Sequence, residues 1–339
     1  MQPDAYVRLR KELAGEGAFA VSDALGALTL GGELLIFGVG TALLLRCARS
    51  SWAYWLLELL LATSLFRFSA IMHECAHNTL FRARILDQVA GYVCSPFCLI
   101  PYHPYRQIHE EHHRWVGVID RDPTQRGLLA LRRFSRVQGL VFRAVWKLWL
   151  PLPFAAFVFN TYWRYPARKL RAERTADGWR GLAAVAVALG PHAWAVARLG
   201  AGTYAALALP MLALYFLQLE NTYVPQHSKL FRFLSRDHPQ PVPIYEQDEV
   251  TRSSRVPAAL AIPLGLNHNL HVEHHLFPTM PWYRLTLVER KLRVLGYPRN
   301  ETGWLRFMRA ARREDPVASY LRSFPPAAQT PSESAGSTQ

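Results

Sequence analysis

Long apolar runs alternate with arginine-rich stretches along the chain, and that segregation sets the first expectation about its fold. Four runs, over 25–45, 52–72, 181–199 and 203–219, approach the roughly 20 apolar residues that a helix needs to cross a hydrocarbon core of about 30 Å. They fall into two pairs. A polar turn at 46–51 joins the first pair, and Gly200, Ala201 and Gly202 join the second, so each pair is predicted to form a helical hairpin. Gly190, Pro191 and Pro210 interrupt the second pair, which membrane helices tolerate where neighbours re-satisfy the backbone. Two shorter runs, 89–102 and 146–160, are too short or too proline-broken to span. Pro151 and Pro153, with Trp146, Trp149 and Trp163, suit a re-entrant or interfacial path there. Glu33, Glu58 and Arg67 fall inside the first hairpin, and the cost of a charge facing lipid predicts that they point into the bundle or towards an interface.

Charge adds an orientation. The net charge is +14, and arginines such as Arg106, Arg114, Arg121, Arg133, Arg143 and Arg164 crowd the segment between the hairpins. That segment is expected on the cytoplasmic side, and an even number of spans then puts both termini there too. Arg46 and Arg49 in the first turn oppose this, but two charges weigh less than the long basic segment. A nucleic-acid binder would spread its basic residues over a soluble domain, so nucleic acid is not expected as a partner. Cys47, Cys75, Cys94 and Cys98 show no CxxC spacing and read as reduced thiols. The N-terminus lacks the apolar segment of a cleaved signal peptide, and residues 325–339 are too polar to offset the entropy of ordering. The expected organisation is a cytoplasmic segment over 1–24, a membrane domain over 25–324 and a disordered tail over 325–339.

Most of the 13 histidines lie in three clusters. His73 and His77 stand in HECAH, His109, His112 and His113 in HEEHH, and His271, His274 and His275 in HVEHH. Spacings of three and four gather imidazoles on one helical face, where they can share a metal. A single such spacing arises by chance, but three beside hydrophobic segments on one membrane face do not suggest accident. Eight imidazoles exceed the four ligands of a tetrahedral zinc, so two metals are implied. Imidazole suits iron, copper, nickel and zinc alike, and the residues leave that choice open. His268, three residues before His271, is a candidate ligand, a candidate hydrogen-bond donor to one, or simply exposed, and Asn267 can orient a ligand or a bound water. His103, His192 and His238 lack clustered neighbours and read as structural or solvated.

The ordered set HECAH, HEEHH and HVEHH, with a hairpin between the second and third, resembles the three histidine boxes of the membrane fatty acid desaturase and hydroxylase superfamily. NHNLHVEHHLFPTMPWYRL looks especially like acyl-lipid desaturases. The resemblance covers residues from about 52 to 297. It implies an all-α integral membrane fold of four transmembrane helices, with a cytoplasmic helical cap holding two non-haem irons. It also implies a lipid or fatty-acyl substrate, O2 as oxidant and a separate electron donor, ferredoxin or a cytochrome with its reductase, since no HPGG haem motif is present. His227 in LENTYVPQHSKL occupies the place of a further ligand in this superfamily, and Asp122 in DRDPT that of an aspartate-proline after the second box. TYVPQH and DRDP also fit oxygen-inserting relatives, hydroxylases or ketolases of a lipid, alkane or carotenoid. A membrane metallohydrolase or metal-binding receptor is the remaining class, though it seldom needs three boxes. Trp55, Phe66, Phe68, Phe97, Tyr215 and Phe216 are candidates to line an acyl tunnel, with ordinary packing as the alternative.

Overall fold

A computed structural model describes the chain except for residues 119, 173–175, 228–239 and 319–339. The expected disordered tail and His238 therefore lie outside the described residues. In chain order the helices are α1 (Pro3–Gly15), α2 (Asp23–Leu44), α3 (Trp52–His77), α4 (Arg84–Cys98), α5 (Tyr102–Trp115), α6 (Arg136–Lys147), α7 (Leu152–Val158), α8 (Tyr165–Ala172), α9 (Ala176–Leu199), α10 (Ala201–His227), α11 (Ala258–Gly265), α12 (His271–Leu276), α13 (Leu285–Val294) and α14 (Trp304–Arg313). Two short strands, β1 (Ser253–Arg255) and β2 (Glu301–Gly303), pair in parallel.

Among the described residues α2, α3, α9 and α10 are the four single helices long enough and apolar enough to cross a membrane, and they form the two expected hairpins. Ser22 and Ser51 cap α2 and α3, each accepting a hydrogen bond from a backbone N–H three residues on. The ends differ from expectation in one instructive way. α3 and α10 do not stop with their apolar stretches near residues 72 and 219 but run on unbroken to His77 and His227. MHECAH holds no helix breaker, Pro225 in ENTYVPQH is accommodated inside α10, and Asn78, in the left-handed conformation at φ 57°, terminates α3 just after its second histidine. The run at 146–160 is sharply bent: α6 and the stretch Leu152–Ala172 meet at 111° beside Pro151, the geometry of a broken span or of a re-entrant path. α4 lies along α3 and α9, and Gly91 lets the Tyr102 ring rest against its backbone where a Cβ would come within 2.3 Å.

Glu33, Glu58 and Arg67 are all buried, as the cost of exposing them to lipid requires. Arg67 makes a two-point pair with Glu33, Nε to Oε2 at 2.5 Å and Nη2 to Oε1 at 2.9 Å, and donates from Nη1 to the Pro263 carbonyl at 2.6 Å. Ser64 donates to the same Glu33 carboxylate. One buried ion pair thus ties α2, α3 and α11 together.

A helical cap covers the ends of α3 and α10. Tyr6 of α1 donates to the Leu276 carbonyl at 3.0 Å and stacks on Phe277, so the 1–24 segment is packed onto α12 and not loose. Arg312 of α14 lies over Trp146 and Trp149, donates to the Trp146 carbonyl at 2.7 Å and pairs with Glu220, fastening α14 to α6 and α10. All four cysteines are free thiols.

Candidate metal centre

Each histidine box sits at or near a helix end where the backbone aims its rings at one volume. The last turn of α3 supplies His73 and His77, the last two turns of α5 supply His109, His112 and His113, and the short α12 supplies His271, His274 and His275. His227 arrives as the final residue of α10. The rings sort into two groups: His73, His77, His109, His113 and His274, and His112, His227, His271 and His275, with the ligand atoms of each group within 4.8 Å of one another. Neighbouring residues feed different groups. His112 and His113 diverge, as do His274 and His275, which is why an HxxHH spacing can serve two metals at once.

Within the first group Nε2 atoms approach at 2.8 Å for His77 and His109, 3.2 Å for His109 and His113, and 3.0 Å for His113 and His274. Within the second they approach at 3.1 Å for His112 and His227, 2.8 Å for His227 and His271, and 3.1 Å for His271 and His275. Imidazole nitrogens bound at ~2.0–2.1 Å to one ion at right angles stand about 2.9 Å apart, so these spacings fit a shared metal. Tautomers make the argument sharper. His112 Nδ1 lies 2.8 Å from an oxygen of the fully buried Asp122, so Nδ1 carries the proton and Nε2 points inward as a bare lone pair. His275 Nδ1 lies 3.0 Å from Gln247 Oε1, and Gln247 is oriented by its amide donating to the His113 carbonyl at 2.8 Å; His275 Nε2 is likewise bare. Converging lone pairs repel unless a cation stands between them. His73 Nε2 is also buried without a hydrogen-bond partner among the described residues, as a ligand atom would be.

Burial holds the rings of His109, His113, His271, His274 and His275 well below the usual histidine range, and their mutual repulsion lowers them further. They are neutral at physiological pH, the state that donates to a metal.

The other candidates take distinct places. Asp122 is fixed by Thr124, whose N–H and hydroxyl donate to Oδ1 at 2.9 and 2.7 Å. Replacing Asp122 by Asn should lower metal affinity on the order of 10–100-fold while leaving the fold in place, measured by metal titration of the purified protein. His268 stands with its ring 4.9 Å from that of His73 and 5.8 Å from that of His271, and is pushed down to about 3 by burial. Asn267 donates to the Trp282 carbonyl at 3.2 Å. Glu74 accepts from the Trp282 N–H at 3.0 Å, and Glu273 accepts from Ser253 at 2.6 Å and pairs with Arg299 at 2.7 Å, so these two carboxylates brace the first and third boxes. Glu110 and Glu111 are exposed. Both His192 nitrogens are engaged away from the centre, with Tyr204 at 2.5 Å and the Pro96 carbonyl at 2.8 Å. Gln247 was not legible beforehand: it lies in a short 3-10 helix, Ile244–Glu249, with no motif around it, and only the folded chain brings it to His275.

Both groups face one small chamber of about 90 Å³, walled by His73, His109, His112, His227 and His271 and closed by aromatic rings including Tyr105, Phe157 and Tyr223. Beside it lies a larger apolar cavity of about 470 Å³ between α3, α10 and α11. Of the aromatic tunnel candidates Phe66 alone lines these spaces; Phe68 and Phe97 stack on each other at 4.1 Å in the core, and Trp55 is exposed.

Residues 50–304 match the model of the fatty acid desaturase family. Among curated proteins the chain is similar to "Probable fatty acid desaturase" of Sorghum bicolor, 27% identical over 282 residues, covering 77% of this chain and 68% of that protein. It is 26% identical over 278 residues to a delta(12)-fatty-acid desaturase of Arabidopsis thaliana, covering 74% of this chain and 69% of the relative. An endoplasmic reticulum omega-6 fatty acid desaturase of Glycine max is 26% identical over 288 residues, 77% of this chain and 71% of its own length.

Proposed function

Because the chain belongs to the fatty acid desaturase family, we propose that this membrane oxidoreductase desaturates a fatty acyl chain at two non-haem irons, with O2 as oxidant. One neighbouring pair of methylenes loses two hydrogens, and O2, two further electrons and two protons leave as two waters. The electrons come from a separate donor, ferredoxin or a cytochrome with its reductase. The observation that carries the reading is the pair of converging imidazole groups on a small aromatic chamber beside an apolar cavity.

His73, His77, His109, His113 and His274 would hold one iron, and His112, His227, His271 and His275 the other. When bound, the irons supply the redox chemistry that activates O2 and breaks an unactivated C–H bond. The protein's own residues do the rest. Asp122 and Gln247 hold His112 and His275 in the tautomer whose Nε2 faces the metal. The aromatic walls keep bulk water from the reacting carbon and offer an apolar bed to the chain. The curated relatives are named as desaturases, which favours removal of hydrogen over insertion of oxygen.

Lipid mass spectrometry of cells with and without expression should show an acyl species lighter by two hydrogens, and the purified protein should carry about two irons per chain. Products heavier by one oxygen would point instead to a hydroxylase. A single zinc in protein active as isolated would sink the di-iron reading.

The histidine centre and both termini are proposed to face the cytoplasm, on the strength of the basic segment between the hairpins. Reporter fusions at Gly127 and at the C-terminus should agree on that side; opposite sides would mean an odd number of spans between them.

A further inference from the structure

The chamber at the histidines and the apolar cavity beside it share three lining residues, Phe66, Thr222 and His268. Anything passing from the lipid-flanked cavity to the metal centre crosses this junction. Two of the three are tied down. The Thr222 hydroxyl donates to the Gln218 carbonyl at 2.9 Å, and the His268 backbone accepts from Gln226 at 2.7 Å while its ring stands among those of His73, His271 and Phe66. Phe66 has no polar group to hold it, so its ring can turn at the cost of packing alone.

What lies behind that ring is unusual. A Cβ at Gly265 would come within 2.5 Å of Phe66 Cε1, so the glycine forms the recess in which the ring rests. The helix bearing Gly265 cannot simply back away. Pro263 is held by Arg67, the two residues after Gly265, Leu266 and Asn267, are both left-handed at φ 50° and 58°, and Asn267 is bonded to Trp282. A side chain at position 265 would therefore drive the ring away from α11 and into the junction.

We propose that Phe66, seated against Gly265, is the gate between the lipid-facing cavity and the metal chamber, and that it sets how far an acyl chain advances and so which carbons are desaturated. The proposal rests on reading the chain as a desaturase that draws its substrate through the larger cavity. The lining favours that route: Leu59, Leu214 and Leu217 come from two spans, and Leu260 and Leu264 of α11 line the cavity while remaining exposed.

The test uses the full-length protein in lipid nanodiscs and a long-chain fatty acid carrying a diazirine at its methyl end. In the wild type, light should attach the probe to chamber residues such as Phe157 and Tyr223. Gly265→Ala should cut that labelling by about tenfold or more, because the displaced ring fills the junction, and move adducts to Leu214 and Leu217. Phe66→Ala combined with Gly265→Ala should restore chamber labelling. In product analysis, Phe66→Ala should shift or broaden the double-bond position. Should Gly265→Ala fail to fold, Phe66→Trp enlarges the gate in place, with the same expected loss. Wild-type adducts in neither space, chamber labelling in Gly265→Ala equal to wild type, or an unchanged double-bond position in active Phe66→Ala would overturn the gate. Labelling that obeys Gly265→Ala in a protein yielding no unsaturated lipid would retain the gate and remove the desaturase reading.

Discussion

Replacing His112 by alanine is expected to abolish desaturation, lowering turnover by more than about 100-fold, because losing a direct ligand should exceed the 10–100-fold typical of losing a ligand's partner. Two effects add at this residue. His112 contributes Nε2 to the second group of rings, and its removal also strands the fully buried Asp122 carboxylate that lies 2.8 Å from Nδ1. Iron content should fall together with activity, read by elemental analysis. His227→Ala tests the residue that no box contains. Its Nε2 lies 3.1 Å from that of His112 and 2.8 Å from that of His271, so its loss leaves three rings in the second group. Normal iron and normal turnover in His227→Ala would mean that the second metal closes its shell without it. His192→Ala is the control and should keep its metal, since both ring nitrogens bond elsewhere.

Arg67→Met should be the most destabilising single change in the membrane region. It leaves the Glu33 carboxylate buried without its two guanidinium bonds, and breaking a buried pair in this way costs roughly 3–5 kcal/mol. Against a total stability on the order of 5–15 kcal/mol, that is enough to empty much of the folded population. The expected readout is loss of the monodisperse peak on size exclusion in detergent. Glu33→Leu combined with Arg67→Met removes both charges and should recover much of that peak. A double variant no better folded than Arg67→Met would show that the bond to the Pro263 carbonyl, and not the ion pair, is what matters.

The four spans were legible because lipid makes one demand that a sequence records directly: about 20 apolar residues with few charges. The histidine groups were legible for a related reason. Eight of the nine rings lie in three short boxes, and spacings of three and four define a helical face without any tertiary knowledge. His227 needed more, since one histidine after an apolar run has no pattern of its own; resemblance alone pointed to it. Asp122 was reached the same way, and the structure gives it a direct bond to His112. Gln247, the Arg299 pair with Glu273 and the seat of Phe66 on Gly265 were out of reach. Each joins positions far apart in the chain through contacts that neither periodicity nor composition encodes. The division of the boxes between two groups of rings was equally hidden, because it depends on rings of adjacent residues diverging.

Both α3 and α10 run on past their apolar stretches to the histidines, α3 without a proline and α10 with Pro210 and Pro225 inside it. His73 and His77 ride on the first and His227 on the second, so a tilt of either helix moves the rings that it carries. Bilayers that differ in thickness impose different tilts on a span of fixed length, at fractions of a kcal/mol per Å of mismatch. Acyl chains set that thickness, and they are also what this family modifies. Bilayer thickness is therefore expected to bear on the spacing of the rings, most directly through α3, which has no proline between its first turn and His77.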